Sequence, residues 1–381
     1  MQQVTQFLTL TRPDSPFVFA SGATLPEVKL AYSTYGKLNA DASNAILLFH
    51  ALSGTHHAAG IMKSVAGVGA YWTEELHKGW WNDFIGPGKP LDTNRFFVIC
   101  PNTLGGCYGS TGPSSIAPDT GTPYGSRFPH ITSVDIVNSL LPLLDHLGIR
   151  QLHAIVAPSI GGLLALTFAA RHPDRVRTII PIGSGVKTTV LNRLILFEQI
   201  LAIENDPHFQ GGDYYDRTPP VLGLALARMI SHKTFVHLDA IERRARRTVV
   251  QSDDHFDWYQ LQDPVESYIL HQGKTFVKRF DANSYLRFIE LWSRYDPVRD
   301  AGVATMQEMF ARCKAAGHHF LVFTIDSDFC FYPEEQDNLV RHLKAGGVSN
   351  MHVTVHSDKG HDSFLLEPEL YAPHLVYTLN R

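Results

Sequence analysis

Cysteine is scarce, charge is nearly balanced and long apolar runs are missing. The four cysteines of this 381-residue chain, Cys100, Cys107, Cys313 and Cys330, never fall at C-x-x-C spacing. That argues against a zinc site and a disulfide framework and leaves four reduced thiols. A formal net charge of −4, with basic residues scattered, offers no electrostatic footprint for nucleic acid. The one basic cluster, Arg243-Arg244-Ala245-Arg246-Arg247, reads as a solvated helix face. No apolar stretch approaches the span of about eighteen residues that a membrane helix needs, and no basic segment followed by an apolar one opens the chain. A cytoplasmic protein that leaves membranes alone is expected. Histidine is plentiful at 20 residues, but His56-His57 and His318-His319 lack the acidic spacing of H-E-x-x-H, so no metal site is expected. Pro101–Ser115, rich in glycine and hydroxyls, lacks both the Gly-Lys-Ser/Thr ending of a P-loop and the spacing of a dinucleotide fingerprint.

What is present is an ordinary globular composition, 44% apolar and 18% charged, long enough for one α/β core with a sizeable insertion. After an irregular start, strands are expected at Val28–Tyr35, Ala45–Phe49, Arg95–Cys100, Gln151–Ala157 and Arg177–Ile182, with a helix over Val134–Leu147. Residues 78–90 read as an ordered surface loop, and 101–115 as a loop packed against a site. From 184 to 297 the pattern turns to helix after helix: Leu191–Glu204, Leu222–Ser231, Val236–Arg247, Glu266–Gln272 and Ser284–Ser293. Strands resume at His319–Ile325 and Met351–His356. The expected architecture is α/β, a mostly parallel doubly wound sheet formed by 1–183 and 298–381, with 184–297 inserted as a helical lid.

The most informative stretch is Gln151–Leu164, QLHAIVAPSIGGLL, an apolar strand that meets a helix through Ala157-Pro158-Ser159-Ile160-Gly161. Small-x-Ser-x-Gly between strand and helix is the context of a nucleophile elbow, which marks Ser159 as a nucleophile. The turn needs small residues two before and two after the serine, and Ala157 and Gly161 qualify. In an α/β-hydrolase layout, the loop after Ala45–Phe49 supplies one oxyanion N–H and the residue after the nucleophile the other, here Leu52 and Ile160. Serine acyl transfer also needs a base and a carboxylate to orient it, in the chain order Ser, Asp, His. Asp328 and His361 follow strands at the same sheet edge as Ser159; Asp326 and, more weakly, Asp358 compete with Asp328.

These residues sit in longer blocks. HALSG (50–54), GWWNDFIGPGKPLDTNRFFVICPNTLGGCYGSTGPSS (79–115), APSIGG (157–162), NDPHFQGGDYY (205–215), GLALARM (223–229), RFDANSY (279–285), DSD (326–328) and GHDSFLLE (360–367) occur in the order found in homoserine O-acetyltransferases. The chain resembles that family from about Leu30 to Glu367. The resemblance implies an α/β-hydrolase core, a lid that makes a homodimer, an acyl-CoA such as acetyl-CoA as donor, an alcohol acceptor, no bound cofactor, and a place in methionine biosynthesis. It implies a triad of Ser159, Asp328 and His361, with Arg228 pairing with the acceptor's carboxylate and Asp362 receiving its amino and hydroxyl end. The pattern also departs from the family. Leu163-Leu164 stands for Met-Gln, Gln199-Ile200 for Gln-Arg and Thr234-Phe235 for Thr-Tyr, each removing a polar group near the inferred pocket. A drier pocket favours an apolar ester and a carboxylesterase as the alternative activity. A non-catalytic binding protein on this fold would have lost a triad position, and none is lost.

Overall fold

The computed structural model describes residues 2–12, 14–245 and 258–381. Arg246 and Arg247, and with them the end of the helix expected at Val236–Arg247, lie outside the described residues.

Eight strands form the central sheet: β1 (Gln6–Thr9), β2 (Lys29–Tyr35), β3 (Ala45–Leu48), β4 (Phe97–Pro101), β5 (Leu152–Pro158), β6 (Val176–Ile182), β7 (His319–Ile325) and β8 (Ser349–Val355). Their spatial order is β1-β2-β4-β3-β5-β6-β7-β8. From β4 to β8 every pairing is parallel, whereas β2 runs antiparallel to both β1 and β4. The start of the chain is therefore not irregular: β1 caps the sheet edge, its residues only half-buried and without the apolar run that marks an inner strand.

Alternation along the strands sorts side chains into two layers. Leu47, Ile155, Ile179 and Phe320 face α1 (Ser133–His146) and α2 (Ile160–Arg171). Ile46, Leu48, Val156, Ile180 and Phe323 face the opposite layer, filled by Trp81, Phe84, Tyr371 and Leu375. The stretch 78–90 is thus not a surface loop. Of its two tryptophans, Trp81 is core, its Nε1 donating to the Phe364 carbonyl at 2.8 Å.

Between β6 and β7 run α3 (Val190–Glu204), α4 (Val221–Phe235), α5 (Leu238–Ala245), α6 (Pro264–Phe276), α7 (Ala282–Arg294), α8 (Pro297–Ala301) and α9 (Met306–Ala315). Thr189 with Asn192 and Asp263 with Glu266 form reciprocal caps on α3 and α6, each contributing about 1 kcal/mol. α4 runs on past the expected Ser231 to Phe235, since no glycine or proline stops it before Val236 turns extended. α8 packs against the core helices: Ser133 Oγ donates to Asp300 at 2.8 Å and Arg171 to the Asp300 carbonyl at 3.1 Å. After β7 come α10 (Pro333–Ala345), α11 (Ser363–Leu366) and α12 (Pro368–Leu379). Among the described residues no helix is long and apolar enough to cross a membrane.

Candidate active site

Ser159 sits between β5 and α2, as the cap of the helix, at φ 58°, ψ −132°, a left-handed backbone that a serine adopts only under tertiary constraint. The constraint is crowding on both sides. A Cβ on Gly161 would lie 2.8 Å from the Phe49 Cβ, and one on Gly162 would lie 2.4 Å from the Ser184 Oγ. Glycine at these positions lets α2 press against the sheet, and the serine is left projecting from the turn.

His361 stands on the short turn Gly360–Asp362 beyond β8, and Asp328 on the loop after β7. The Ser159 hydroxyl donates to His361 Nε2 at 2.8 Å, and His361 Nδ1 donates to the Asp328 carboxylate at 2.7 Å. Asp328 is itself held on every side. One oxygen accepts the N–H groups of Cys330 (2.7 Å) and Phe331 (2.9 Å), and the other accepts Gln336 Nε2 at 3.1 Å. Its rivals are engaged elsewhere: Asp326 accepts from His356 at 2.7 Å, and Asp358 pairs with Arg243 and Lys359. Burial, the largest single influence, pushes the His361 imidazole down, but the charge and hydrogen bond of Asp328 together with those of Cys330 outweigh it and hold the ring well above its ordinary value. Phe235, Phe331 and Phe364 wall the ring, with centroids 6.1, 5.8 and 5.2 Å away.

The N–H groups of Leu52 and Ile160 have no protein acceptor among the described residues. Ile160 opens α2, where backbone donors are free by construction. Donors left unpaired beside a nucleophile can stabilise an oxyanion.

A cavity of about 290 Å³ opens before Ser159, lined by Leu52, Arg228, Phe235, Arg279, His361 and Asp362 among others. Arg228 lies between the rings of Phe276 (4.8 Å) and Phe235 (5.1 Å), with no carboxylate in ion-pair reach among the described residues. Burial, and then the charge of Arg279, lower its pKa. Asp362 is shifted up, chiefly by burial, against the opposing pull of His361 and Arg228. Arg279, unlike Arg228, is spent: it pairs with Glu75 and donates to Tyr108 Oη (3.1 Å) and the Ser53 carbonyl (3.2 Å).

Three features went unread in the sequence. Gln336 orients the carboxylate from eight residues downstream, and Glu75 and Arg279 meet across the cavity; only the RFDANSY block hinted at the last. Two of the expected pocket changes are misplaced. Leu164 is buried beside a small apolar cavity behind the Leu52 loop, and Ile200 faces a separate polar cleft with Glu204, Arg287 and Arg294. Of the three changed positions only Phe235 lines the cavity of Ser159, so the pocket is drier at one residue. The members of each histidine pair have different partners: His56 bonds Thr5, His57 the His77 carbonyl, His318 the Pro173 carbonyl and His319 Ser349.

A model of the α/β hydrolase fold matches residues 44–368. The homoserine O-acetyltransferase of Solidesulfovibrio magneticus is 40% identical over 95% of this chain and 88% of its own. The chain belongs to the homoserine O-acetyltransferase family. A homoserine O-succinyltransferase of Pseudomonas putida is also 40% identical, over 97% of this chain and 94% of its own, so this acyltransferase family spans two acyl groups at equal distance. The crystal structure of homoserine O-acetyltransferase from Bacillus anthracis superposes with TM-score 0.86 at 28% identity, covering 100% of this chain and 98% of that one. An esterase superposes equally well, at 26% identity over 99% of this chain and 100% of its own. The backbone shell is therefore shared by transferase and hydrolase.

Proposed function

We propose that this acyltransferase moves an acetyl or similarly short acyl group from acyl-CoA to the hydroxyl of homoserine through a Ser159 acyl-enzyme. The observation that carries the reading is the Ser159–His361–Asp328 relay opening on a cavity lined by the guanidinium of Arg228 and the carboxylate of Asp362, neither of them in an ion pair among the described residues. Neutral His361 takes the serine proton as Oγ attacks the thioester carbonyl, and the Leu52 and Ile160 N–H groups receive the oxyanion. Collapse expels the thiolate, which takes the proton back from His361. The acceptor hydroxyl then repeats the sequence on the acyl-enzyme, and the serine leaves. Arg228 clamps the acceptor carboxylate and Asp362 its ammonium, so an alcohol is presented where water would otherwise react. No bound cofactor enters these steps, and the reading is of a cytoplasmic enzyme.

With acetyl-CoA and millimolar L-homoserine, mass spectrometry should find O-acetylhomoserine rather than free acetate as the main product. Arg228→Ala should reverse that partition by at least about tenfold, since a charged bidentate contact to carboxylate contributes roughly 1.5–3 kcal/mol. Acetate alone, whatever the acceptor, would make the protein an esterase on a transferase scaffold.

We also propose a homodimer through residues 184–297, which form the lid in this reading. Leu191, Leu194, Phe197 and Leu201 make an apolar stripe along α3, each at least 40% exposed, beside Leu222 and Leu226 of α4 at 72% and 47%. Such a continuous stripe at helical spacing is the form of a partner surface. Leu194→Asp with Phe197→Asp should halve the mass measured by light scattering; an unchanged mass would place the interface elsewhere.

A further inference from the structure

The HALSG block contains a histidine that the chemistry above does not use. His50 is buried at 4% exposure, directly before the Ala51–Leu52 peptide whose N–H is assigned to the oxyanion. Its ring state can be read from its partners. The Thr103 backbone N–H, which can only donate, lies 3.1 Å from His50 Nε2, and Thr103 Oγ1 lies 2.9 Å from the same nitrogen. Nε2 therefore accepts, the proton resides on Nδ1, and Nδ1–H donates to the Ala51 carbonyl at 2.8 Å. A second donor, the Gly54 N–H, reaches the same carbonyl at 2.9 Å.

A trans peptide carries its C=O and N–H on opposite sides of one rigid plane. Two donors fixed on the Ala51 oxygen thus dictate where the Leu52 N–H points. The turn is closed tightly enough to demand glycine: a Cβ on Gly54 would lie 2.9 Å from the His50 Cβ and 3.2 Å from the Ala51 oxygen. The other side of the loop is tethered by Arg279 at the Ser53 carbonyl. Burial holds the His50 imidazole down at about 4, against the weaker upward pull of its bond to Ala51, so the neutral Nδ1–H form persists across the working range.

We propose that His50 is a positioning residue: seated on Thr103, it fixes the Ala51–Leu52 peptide plane and so aims the Leu52 N–H at the oxyanion of the acyl-transfer intermediates. The inference rests on the acyl-enzyme reading above and adds a residue that touches no substrate atom.

The test exploits an asymmetry between two amides. Asparagine places an N–H₂ where His50 has Nδ1, whereas glutamine places its polar atoms at the position of Nε2. His50→Gln and His50→Ala should lower kcat about 100-fold, the order seen when one oxyanion donor is lost. KM for acetyl-CoA should move less than threefold, and the pH profile should stay in place. His50→Asn should recover activity to within about tenfold of the parent. Affinity for a boronic acid that mimics the tetrahedral adduct should fall in step with kcat. Gly54→Ala, whose Cβ crowds the His50 side chain and the same Ala51 carbonyl together, should give the same kcat-selective loss and serves if His50→Ala does not fold. Full kcat in His50→Gln, equal losses in the Asn and Gln variants, or a loss confined to KM would overturn the proposal. Failure of a fluorophosphonate to label Ser159 in the parent protein would instead remove the acyl-enzyme reading beneath it.

Discussion

Ser159→Ala is expected to lower kcat by about 10⁵-fold or more, equivalent to about 7 kcal/mol of barrier, while the melting temperature stays within a few degrees of the parent. The size follows from the relay: without Oγ there is no acyl-enzyme, and what remains is water attack on a substrate held by oxyanion donors alone. The fold should persist, because alanine fits the space of serine and the crowding around the elbow comes from Gly161 and Gly162. His361→Ala should produce a loss of the same order, and the double variant little more, since the pair acts as one unit. A fluorophosphonate should add its mass to the parent and leave Ser159→Ala unmodified. Turnover within tenfold of the parent in either single variant would rule out this triad.

Asp328→Asn should cost about 10⁴-fold in kcat and also move the pH profile, and the direction of that move is informative. His361 works as a base only when neutral. Because Asp328 holds its pKa above the ordinary 6.5 or so, the acid limb of kcat/KM in the parent should lie to the alkaline side of that value. Removing the carboxylate leaves burial as the dominant influence, and burial lowers the pKa, so the limb should shift to lower pH. Stability follows the same linkage. A histidine raised in the folded state adds stability that is fully present below its unfolded pKa and is lost as pH rises through the folded one. The parent should therefore shed that increment on the alkaline side, and Asp328→Asn should not. A limb that stays put in the variant would show that the carboxylate does not set the charge of His361.

The parts of this molecule that were legible in the sequence are those governed by local rules. Ala45–Phe49 read as an inner strand because burial on both faces leaves an unbroken apolar run, and 151–157 and His319–Ile325 because their middles, Ala154–Ala157 and Phe320–Phe323, do the same. The elbow was legible because a left-handed serine flanked by strand and helix needs small neighbours. β1 was missed for the converse reason: an edge strand carries no such run. Asp326 and Asp328 could not be separated from residue type alone, since two positions in a loop follow no periodicity; the hydrogen bonds of His356 and Gln336 divide them in space. Leu164 and Ile200 show the opposite hazard. Both are near pocket residues in sequence, Leu164 five after Ser159, yet helical rotation turns them into other spaces. The His50–Thr103 contact spans 53 positions and leaves no local trace.

The strands β6 and β7 lie side by side, yet residues 183–318 come between them in the chain. Their pairing is a strongly non-local contact, which closes only after the entropy of a long loop has been overcome. The nucleophile belongs to the first half of the sheet, whereas the acid and base are both carried on segments made after that loop. During synthesis the elbow is complete while neither of its partners exists. Catalytic competence is thus acquired late in folding, and a nascent or truncated chain ending before β7 bears a shaped serine with nothing to activate it.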